Sequence, residues 1–211
     1  MRELSAIEVL TTTRAVRRRM DVARPVPLEV VLDCLRIAVQ APTGGNQQDW
    51  RWVVVTDPEL RHAVAEAYRG AALANLEHAR DTAEDEPTRK IYAGAAMQAR
   101  MLEEIPVLVL ACKLGRLESD QNSQAAGFYG SIIPAVWSFQ LALRAKGLGS
   151  VFTTAHLGRE SEVAEALGIP DDISQVAMIP VAYTKGVDFR PATRRPVEEI
   201  TYLNRWGESV G

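Results

Sequence analysis

Two clusters of arginine lie near opposite ends of this 211-residue sequence. The first cluster contains Arg14, Arg17, Arg18 and Arg19, and the second contains Arg190, Arg194 and Arg195. The planar guanidinium group of arginine matches phosphate oxygens in a bidentate geometry. The sequence therefore predicts that the clusters meet at one small phosphate group. The alternative interpretation is a solvated basic surface.

A polar loop, APTGGNQQDW at residues 41–50, separates an apolar helical pattern from an apolar strand pattern. Glycines allow close approach of the backbone, and side-chain amides can hydrogen-bond to the polar edge of a ring. The loop is either a polar linker or the wall of a site for a planar ligand. Its ten residues do not decide between the two.

The sequence lacks the motifs of most other catalytic sites. It contains no GxxxxGK[ST], no GxGxxG between strand and helix, and no GxSxG, and neither cysteine has a nearby histidine. His62, His78 and His156 lack metal-ligand spacing, so no metal site is expected. The sequence thus has arginine clusters suited to binding phosphate but no nucleophile, metal or acid–base motif. This combination indicates that a cofactor supplies the chemistry.

The overall composition is that of a globular protein, with 47% hydrophobic and 24% charged residues, and we expect one domain over residues 1–211. A net charge of −3 argues against a nucleic-acid partner. Cys34 and Cys112 lie in apolar patterns, which predicts buried free thiols. Free thiols, and an N-terminus without a signal-peptide pattern, favour a cytoplasmic location.

The segment Gln121–Leu143 carries no charge and is long enough to cross a membrane. Its Asn, Gln and Ser residues and Pro134 would be costly in lipid, so we expect a buried core helix and no membrane partner. From residue 130 the helix is apolar on every side. Such a helix must be covered on every side, which predicts that it lies at the centre of a dimer.

The elements that position these residues alternate between helix and strand. Helical patterns occupy residues 5–13 and 28–39, and a helix capped by Asp57 is expected to stop at Gly70. Residues 71–104 are mostly helical, interrupted by an exposed acidic loop. Strand patterns are WRWVVVTD, IPVLVLAC as the central strand, SVFTTAH and SQVAMIPVAYT. This order predicts an α/β or α+β layered fold.

Four segments together resemble the nitroreductase family of FMN enzymes over nearly the whole chain: TTRAVRRRMDVARPVP, APTGGNQQDWRWVVVTD, YGSIIPAVWSFQLALRAKGLGS and ATRRPVEEI. The resemblance implies an α+β, three-layer fold in which helices flank a central, mostly antiparallel sheet. It also implies an intertwined homodimer with two FMN sites at the interface. NADH or NADPH would reduce FMN, and a nitroaromatic, a quinone or a similar small-molecule acceptor would reoxidise it.

The resemblance also implies roles for individual residues. Arg14, Ala15 and Arg17 match the N-terminal FMN-binding motif, and Arg194 with Arg195 matches the C-terminal one. The loop residues that would cover the flavin ring from the partner subunit are Pro42, Thr43, Gly44 and Asn46. Thr153 and Thr154 match the strand end whose backbone approaches flavin N5. No catalytic side chain is implied, because N5 carries the chemistry.

The sequence departs from the family pattern at four positions. Ala15 stands where Ser is common, Thr13 replaces a frequent Arg, Arg19 replaces the usual Phe, and Asp49 replaces Pro in the loop. We expect Arg18 or Arg19 to compensate at the phosphate.

The acceptor pocket is expected to form from residues 66–104 and the tail after Lys185. Two functional alternatives stay open. One is a flavin-binding sensor or carrier without useful turnover. The other is a specialised FMN enzyme on the same fold, acting as a dehalogenase, a dehydrogenase or a flavin-fragmenting enzyme.

Overall fold

A five-stranded antiparallel sheet forms the centre of the computed structural model, which describes residues 3–210. The strands are β1 (Met20–Asp21), β2 (Trp50–Val55), β3 (Val107–Leu114), β4 (Leu148–Ser150) and β5 (Ile173–Thr184). The order is β1-β5-β3-β2, and β4 also pairs with β5. Residues Val107–Lys113 of β3 are all buried, which confirms that IPVLVLAC is a central strand.

Within residues 3–210, seven α-helices surround the sheet: α1 (Ala6–Thr12), α2 (Leu28–Ala38), α3 (Pro58–Asp81), α4 (Glu86–Arg100), α5 (Asn122–Gly130), α6 (Ile133–Ala145) and α7 (Glu160–Leu167). Alternate residues of β3 serve opposite faces, as expected from the period of a strand. Val109 packs in a core with α2 and α6, whereas Leu108 and Leu110 pack in a second core with α3 and α7. The predicted three-layer α+β fold is confirmed.

Helix α3 begins as predicted, but it does not stop at Gly70. Asp57 accepts hydrogen bonds from the backbone N–H groups of Glu59 and Leu60, and the helix then continues to Asp81. Gly70 is therefore an interior residue of α3, with the guanidinium group of Arg159 lying against it, and is not a C-terminal stop.

The uncharged segment divides at Ser131–Ile132 into α5 and α6. Taken as one stretch, Asn122–Ala145 is long and apolar enough to cross a membrane, and 44% of its apolar window is buried. This is weak evidence for a span, because a core helix has the same length and composition. Helix α6 buries Val136 and Phe139 in its own subunit's core, whereas Trp137 is 42% exposed on the other face.

The last third of the chain differs from the sequence-based expectation in two places. The strand predicted from SVFTTAH is shorter, because β4 ends at Ser150 and only Thr153 forms a further bridge, with Met178. After β5, residues 185–190 pack against the body, and almost all of residues 191–210 are exposed. Cys34 and Cys112 are buried free thiols, as predicted.

Candidate functional site

A cavity of about 330 Å³ opens beside the N-terminal arginines. The backbone N–H of Val16 donates to the carbonyl of Ser150 (3.0 Å), which fixes the arginine segment against the end of β4. Helix α4 and the tail complete the wall. The lining residues are Arg14, Ala15, Val16, Arg17, Arg18, Arg19, Lys90, Ile91, Gly94 and Phe189. The structure thus gathers the first arginine cluster around one cavity and adds Lys90.

Arg17 is the member of this cluster whose environment points most clearly to an anion. Its Nε atom is buried and has no hydrogen-bond partner among the described residues. Burial lowers the pKa of the guanidinium group, and the nearby Tyr68 acts in the opposite direction. A desolvated donor without a partner is unfavourable unless a ligand oxygen accepts from it. The cavity therefore fits a phosphate group.

Arg19 is committed to the tail. Its Nε donates to the carbonyl of Lys185 (2.9 Å), its Nη2 pairs with Asp188 (2.5 Å), and its guanidinium lies 4.4 Å from the centroid of the Phe189 ring. The hydrogen bond from Arg19 lowers the pKa of Asp188. Of the two residues expected to compensate at the phosphate, the exposed Arg18 is therefore the better placed.

The C-terminal arginines Arg194 and Arg195 do not line the cavity of their own subunit. Both are exposed, and within residues 3–210 Arg194 donates only to the adjacent carbonyl of Thr193 (3.1 Å). The tail instead reaches the first cluster through Arg190, whose carbonyl accepts from Arg14 (3.4 Å). Contact of Arg194 or Arg195 with the phosphate stays a prediction.

The polar loop makes one 3₁₀ turn over Gly44–Asn46. Gly45 and Asn46 both have positive φ angles, 59° and 54°, which glycine and asparagine tolerate best. The N–H of Gly44 donates to the hydroxyl of Ser131 (3.1 Å), and the indole of Trp50 donates to the Ser131 carbonyl (2.7 Å). These two bonds tie the loop to the start of α6, while Pro42, Gly44 and Asn46 remain exposed and Thr43 is half-buried.

Within one chain, the loop and the arginines lie at opposite ends of α6. Gly44 contacts Ser131, just before the helix, whereas Arg14 shares a small cavity with Gln140 and Arg144 near the helix end. At 1.5 Å per residue these ends are about 14–20 Å apart. Neither described cavity beside the arginines includes a loop residue. The loop residues and the arginines that were predicted to share one site are therefore not brought together within this chain.

The departures from the family pattern have local structural explanations. The hydroxyl of Thr13 donates to the carbonyl of Val9 (2.7 Å), and Ala15 pairs with Ser150 through its backbone. Asp49 forms a largely buried ion pair with Lys113 of β3. Asp49 thus anchors the end of the loop to the sheet.

Thr153 and Thr154 differ in what they offer a ligand. The backbone N–H and carbonyl of Thr153 both pair with Met178, at 3.1 and 2.8 Å. These two bonds commit the backbone of Thr153 to β5, and the approach of this segment to flavin N5 stays a prediction. The N–H of the exposed Thr154 has no partner among residues 3–210, so Thr154 is the available donor.

Tyr68, on α3, was missed by the sequence reasoning. Its hydroxyl lies 3.1 Å from Oγ1 of Thr153 and so connects the second core to the segment that follows β4. The spacing of Val64, Ala65, Tyr68 and Ala72 could have shown that this helix face is buried. The contact itself joins residues far apart in sequence, and no local pattern identifies it.

Two histidine environments were also missed. His156 is fully buried, both of its ring nitrogens lack partners among the described residues, and burial lowers its pKa to about 4. His62 lies with Glu66 and Glu103 in a group whose ligand atoms are within 4.8 Å of one another. Arg69 contacts both carboxylates, at 3.1 Å for Glu103, and so supplies the positive charge there.

An apolar groove of about 630 Å³ lies between α1, α2 and α6. Pro42, at the start of the polar loop, is one of the residues that line it. The other residues that line it include Val9, Leu10, Ile37, Pro134 and Leu141. The apolar surface of α6 is therefore continuous with apolar side chains of α1 and α2.

Comparison with known proteins is consistent with this architecture. The chain is 25% identical over 197 residues to iodotyrosine deiodinase from Nematostella vectensis, covering 90% of this chain and 74% of that protein. It is 27% identical over 212 residues to an NADH dehydrogenase from Thermus thermophilus, covering 93% and 97%. Among solved structures, an FMN and NADPH-dependent nitroreductase from Sphigopyxis sp. strain HMH matches with a TM-score of 0.72 and 22% identity, covering 96% and 100%.

The model of the nitroreductase family matches residues 11–183, which include the N-terminal arginine cluster, the polar loop and all of the sheet except its last residue, Thr184. The antiparallel sheet with helices on both faces agrees with the fold of the similar structures. The chain therefore belongs to the nitroreductase family.

Proposed function

We propose that this chain is an FMN-dependent oxidoreductase that uses NADH or NADPH to reduce a small-molecule acceptor. The observation that carries the proposal is Arg17, a half-buried side chain whose buried Nε has no partner among the described residues, in a cavity with four further cationic side chains. In a member of the nitroreductase family, the phosphate of FMN is the anion that best accounts for such a site.

The residues of this chain would bind and orient the cofactor. Arg14, Arg17 and Arg18 would hold the phosphate, with Ala15 in the wall, and Arg194 or Arg195 would add a contact only if the tail moves or comes from another subunit. The N–H of Thr154 would donate to the polar edge of the ring. Bound FMN would supply the redox chemistry, taking a hydride from the nicotinamide and passing two electrons to the acceptor.

The working unit would be a homodimer. The loop bonds to the start of α6 and Arg14 lies near its end, so Pro42, Thr43, Gly44 and Asn46 would reach a flavin bound at the arginines from a second chain. The apolar groove and the exposed Trp137 provide a surface for that second chain. Burial of apolar surface contributes about 25 cal/mol per Å², so covering such a face would stabilise the dimer strongly.

The acceptor would bind against the flavin ring, because N5 carries the chemistry. Lys90 and Ile91 of α4 line the arginine cavity at the phosphate end. The expectation that residues 66–104 help to build the acceptor pocket stays a prediction. A nitroaromatic or quinone acceptor follows from the family. Reductive dehalogenation is a second candidate, since relatives from several animals, and one from Thermotoga neapolitana, are iodotyrosine deiodinases.

Anaerobic stopped-flow reduction followed by an acceptor screen tests this function. The FMN-loaded protein is mixed with NADH or NADPH, and the loss of flavin absorbance is followed. The reduced protein is then mixed with nitroaromatic, quinone, enone and iodotyrosine acceptors. Fast bleaching and reoxidation by one acceptor class support an enzyme. Bleaching only over hours, with no acceptor preferred over oxygen, would favour the sensor or carrier alternative.

A further inference from the structure

Residues 185–190 are held against the arginine cluster by four contacts from three different arginines. Arg19 donates to the carbonyl of Lys185 (2.9 Å) and pairs with Asp188 (2.5 Å). Arg144 donates to the carbonyl of Val187 (3.2 Å), and Arg14 donates to that of Arg190 (3.4 Å). The chain beyond Arg190 is exposed, so this short segment is the part of the tail that is fixed to the body.

Phe189 lies at the centre of the segment and touches two of these arginines. The guanidinium carbon of Arg19 lies 4.4 Å from the centroid of the Phe189 ring, and that of Arg144 lies 4.7 Å from it. Both distances are in the range of attractive cation–π contacts. Arg144 is almost fully buried and also donates to the hydroxyl of Thr12 (3.1 Å), so its position is well defined. Phe189 itself lines the arginine cavity.

We propose that Phe189 is a positioning residue for the phosphate end of the site. Its ring helps to hold Arg19 against the tail, away from the phosphate. It also positions the neighbouring Arg190, whose carbonyl accepts a hydrogen bond from Arg14. The guanidinium of Arg14 is then oriented before the ligand arrives. This inference rests on the proposed function, because it assigns Phe189 a role toward the phosphate of FMN.

The proposal follows from the crowding of like charges. Arg14, Arg17, Arg18, Arg19 and Lys90 surround one cavity, so like charges repel one another there, most strongly around the half-buried Arg17. An aromatic ring attracts guanidinium groups without neutralising them, so it fixes their positions and leaves the site positive. Leucine at position 189 would fill space but could not bind either guanidinium in this way. Arg19 and the tail would then lose their fixed arrangement.

Riboflavin separates a phosphate-positioning role from a general structural one, because it has the ring and ribityl chain of FMN but no phosphate. We would titrate apo-protein with FMN and with riboflavin and follow flavin fluorescence. Phe189→Leu should weaken FMN binding roughly tenfold, the scale of one or two cation–π contacts, and leave riboflavin binding unchanged. Phe189→Trp should restore FMN affinity, since tryptophan also binds guanidinium groups.

Val187→Ala is the matched control, because Val187 is exposed in the same segment and does not line the cavity. It should leave both affinities unchanged. Equal loss of FMN and riboflavin affinity in Phe189→Leu, or no loss of either, would overturn the role of Phe189. A wild-type protein that binds neither flavin would instead overturn the proposed function.

Discussion

Replacing Arg17 with methionine should move protein stability and cofactor affinity in opposite directions. Methionine keeps the length of the side chain but removes a half-buried charge whose Nε has no partner. An unsatisfied buried donor costs about 1–3 kcal/mol, so the apo-protein should gain stability on this scale. For a chain of this length, 1 kcal/mol corresponds to about 2–4 °C in Tm. The loss of a hydrogen bond to a charged group should weaken FMN binding about ten- to a hundredfold.

The assay compares apo-protein melting with FMN titration at one protein concentration. Arg36→Met is the control, because Arg36 is exposed on α2, pairs with Glu29 and Asp33, and lies outside the cavity. It should change neither quantity appreciably. A lower melting temperature for apo Arg17→Met, together with unchanged FMN affinity, would show that Arg17 stabilises the fold and does not bind phosphate.

Three further predictions follow from the described contacts. Trp137→Asp should give dissociated or aggregated protein in sedimentation, because it places a charge on the exposed apolar face of α6, whereas Leu60→Asp on α3 should leave the assembly state of the wild type. A Trp137→Asp protein that sediments as wild type would contradict the interface. Burial lowers the pKa of His156 to about 4, so the folded state takes up this proton at a lower pH than the unfolded state does. The free energy of unfolding should therefore fall by up to roughly 3 kcal/mol as the pH decreases from about 6.5 to 4. In urea unfolding at several pH values, the unfolding free energy of His156→Leu should depend less on pH in this window than that of the wild type. An equal pH dependence would assign the effect to other groups. Tyr68→Phe removes the hydroxyl contact with Thr153 and should lower the free energy of unfolding by about 0.5–1.5 kcal/mol without changing FMN affinity. A large loss of FMN affinity in this variant would place Tyr68 in the binding site.

Local signals predicted much of the fold. The cap at Asp57, the apolar run that became β3 and the helical spacing of α2 each depend on residues close in sequence. The stop expected at Gly70 was wrong because α3 continues through it to Asp81, since a single glycine inside a helical pattern is tolerated at a modest cost. Sequence periodicity reports the buried face of an element and says little about the distant residue that covers it.

The same limit applies to the candidate site. The N-terminal arginines do line one cavity, but their individual roles depend on distant partners, as the pairing of Arg19 with Asp188 shows. Arg61, in the first turn of α3, donates to the carbonyls of Thr56, Glu103 and Ile105. Val136 belongs to the helix that was expected at the centre of a dimer, but it lies in the core of its own subunit. Each outcome depends on a tertiary contact that composition and spacing do not contain.

The identity and amount of the bound flavin test most directly whether the arginine cavity binds the phosphate of FMN. The measurement is the identity and stoichiometry of flavin released by denaturing the purified protein, after incubation with FMN and FAD together and removal of the unbound excess. We predict FMN at about one per chain, because the arginine cavity suits a terminal phosphate and the sequence lacks a dinucleotide-binding motif. Protein that retains no flavin, or that retains FAD in preference to FMN, would contradict the account.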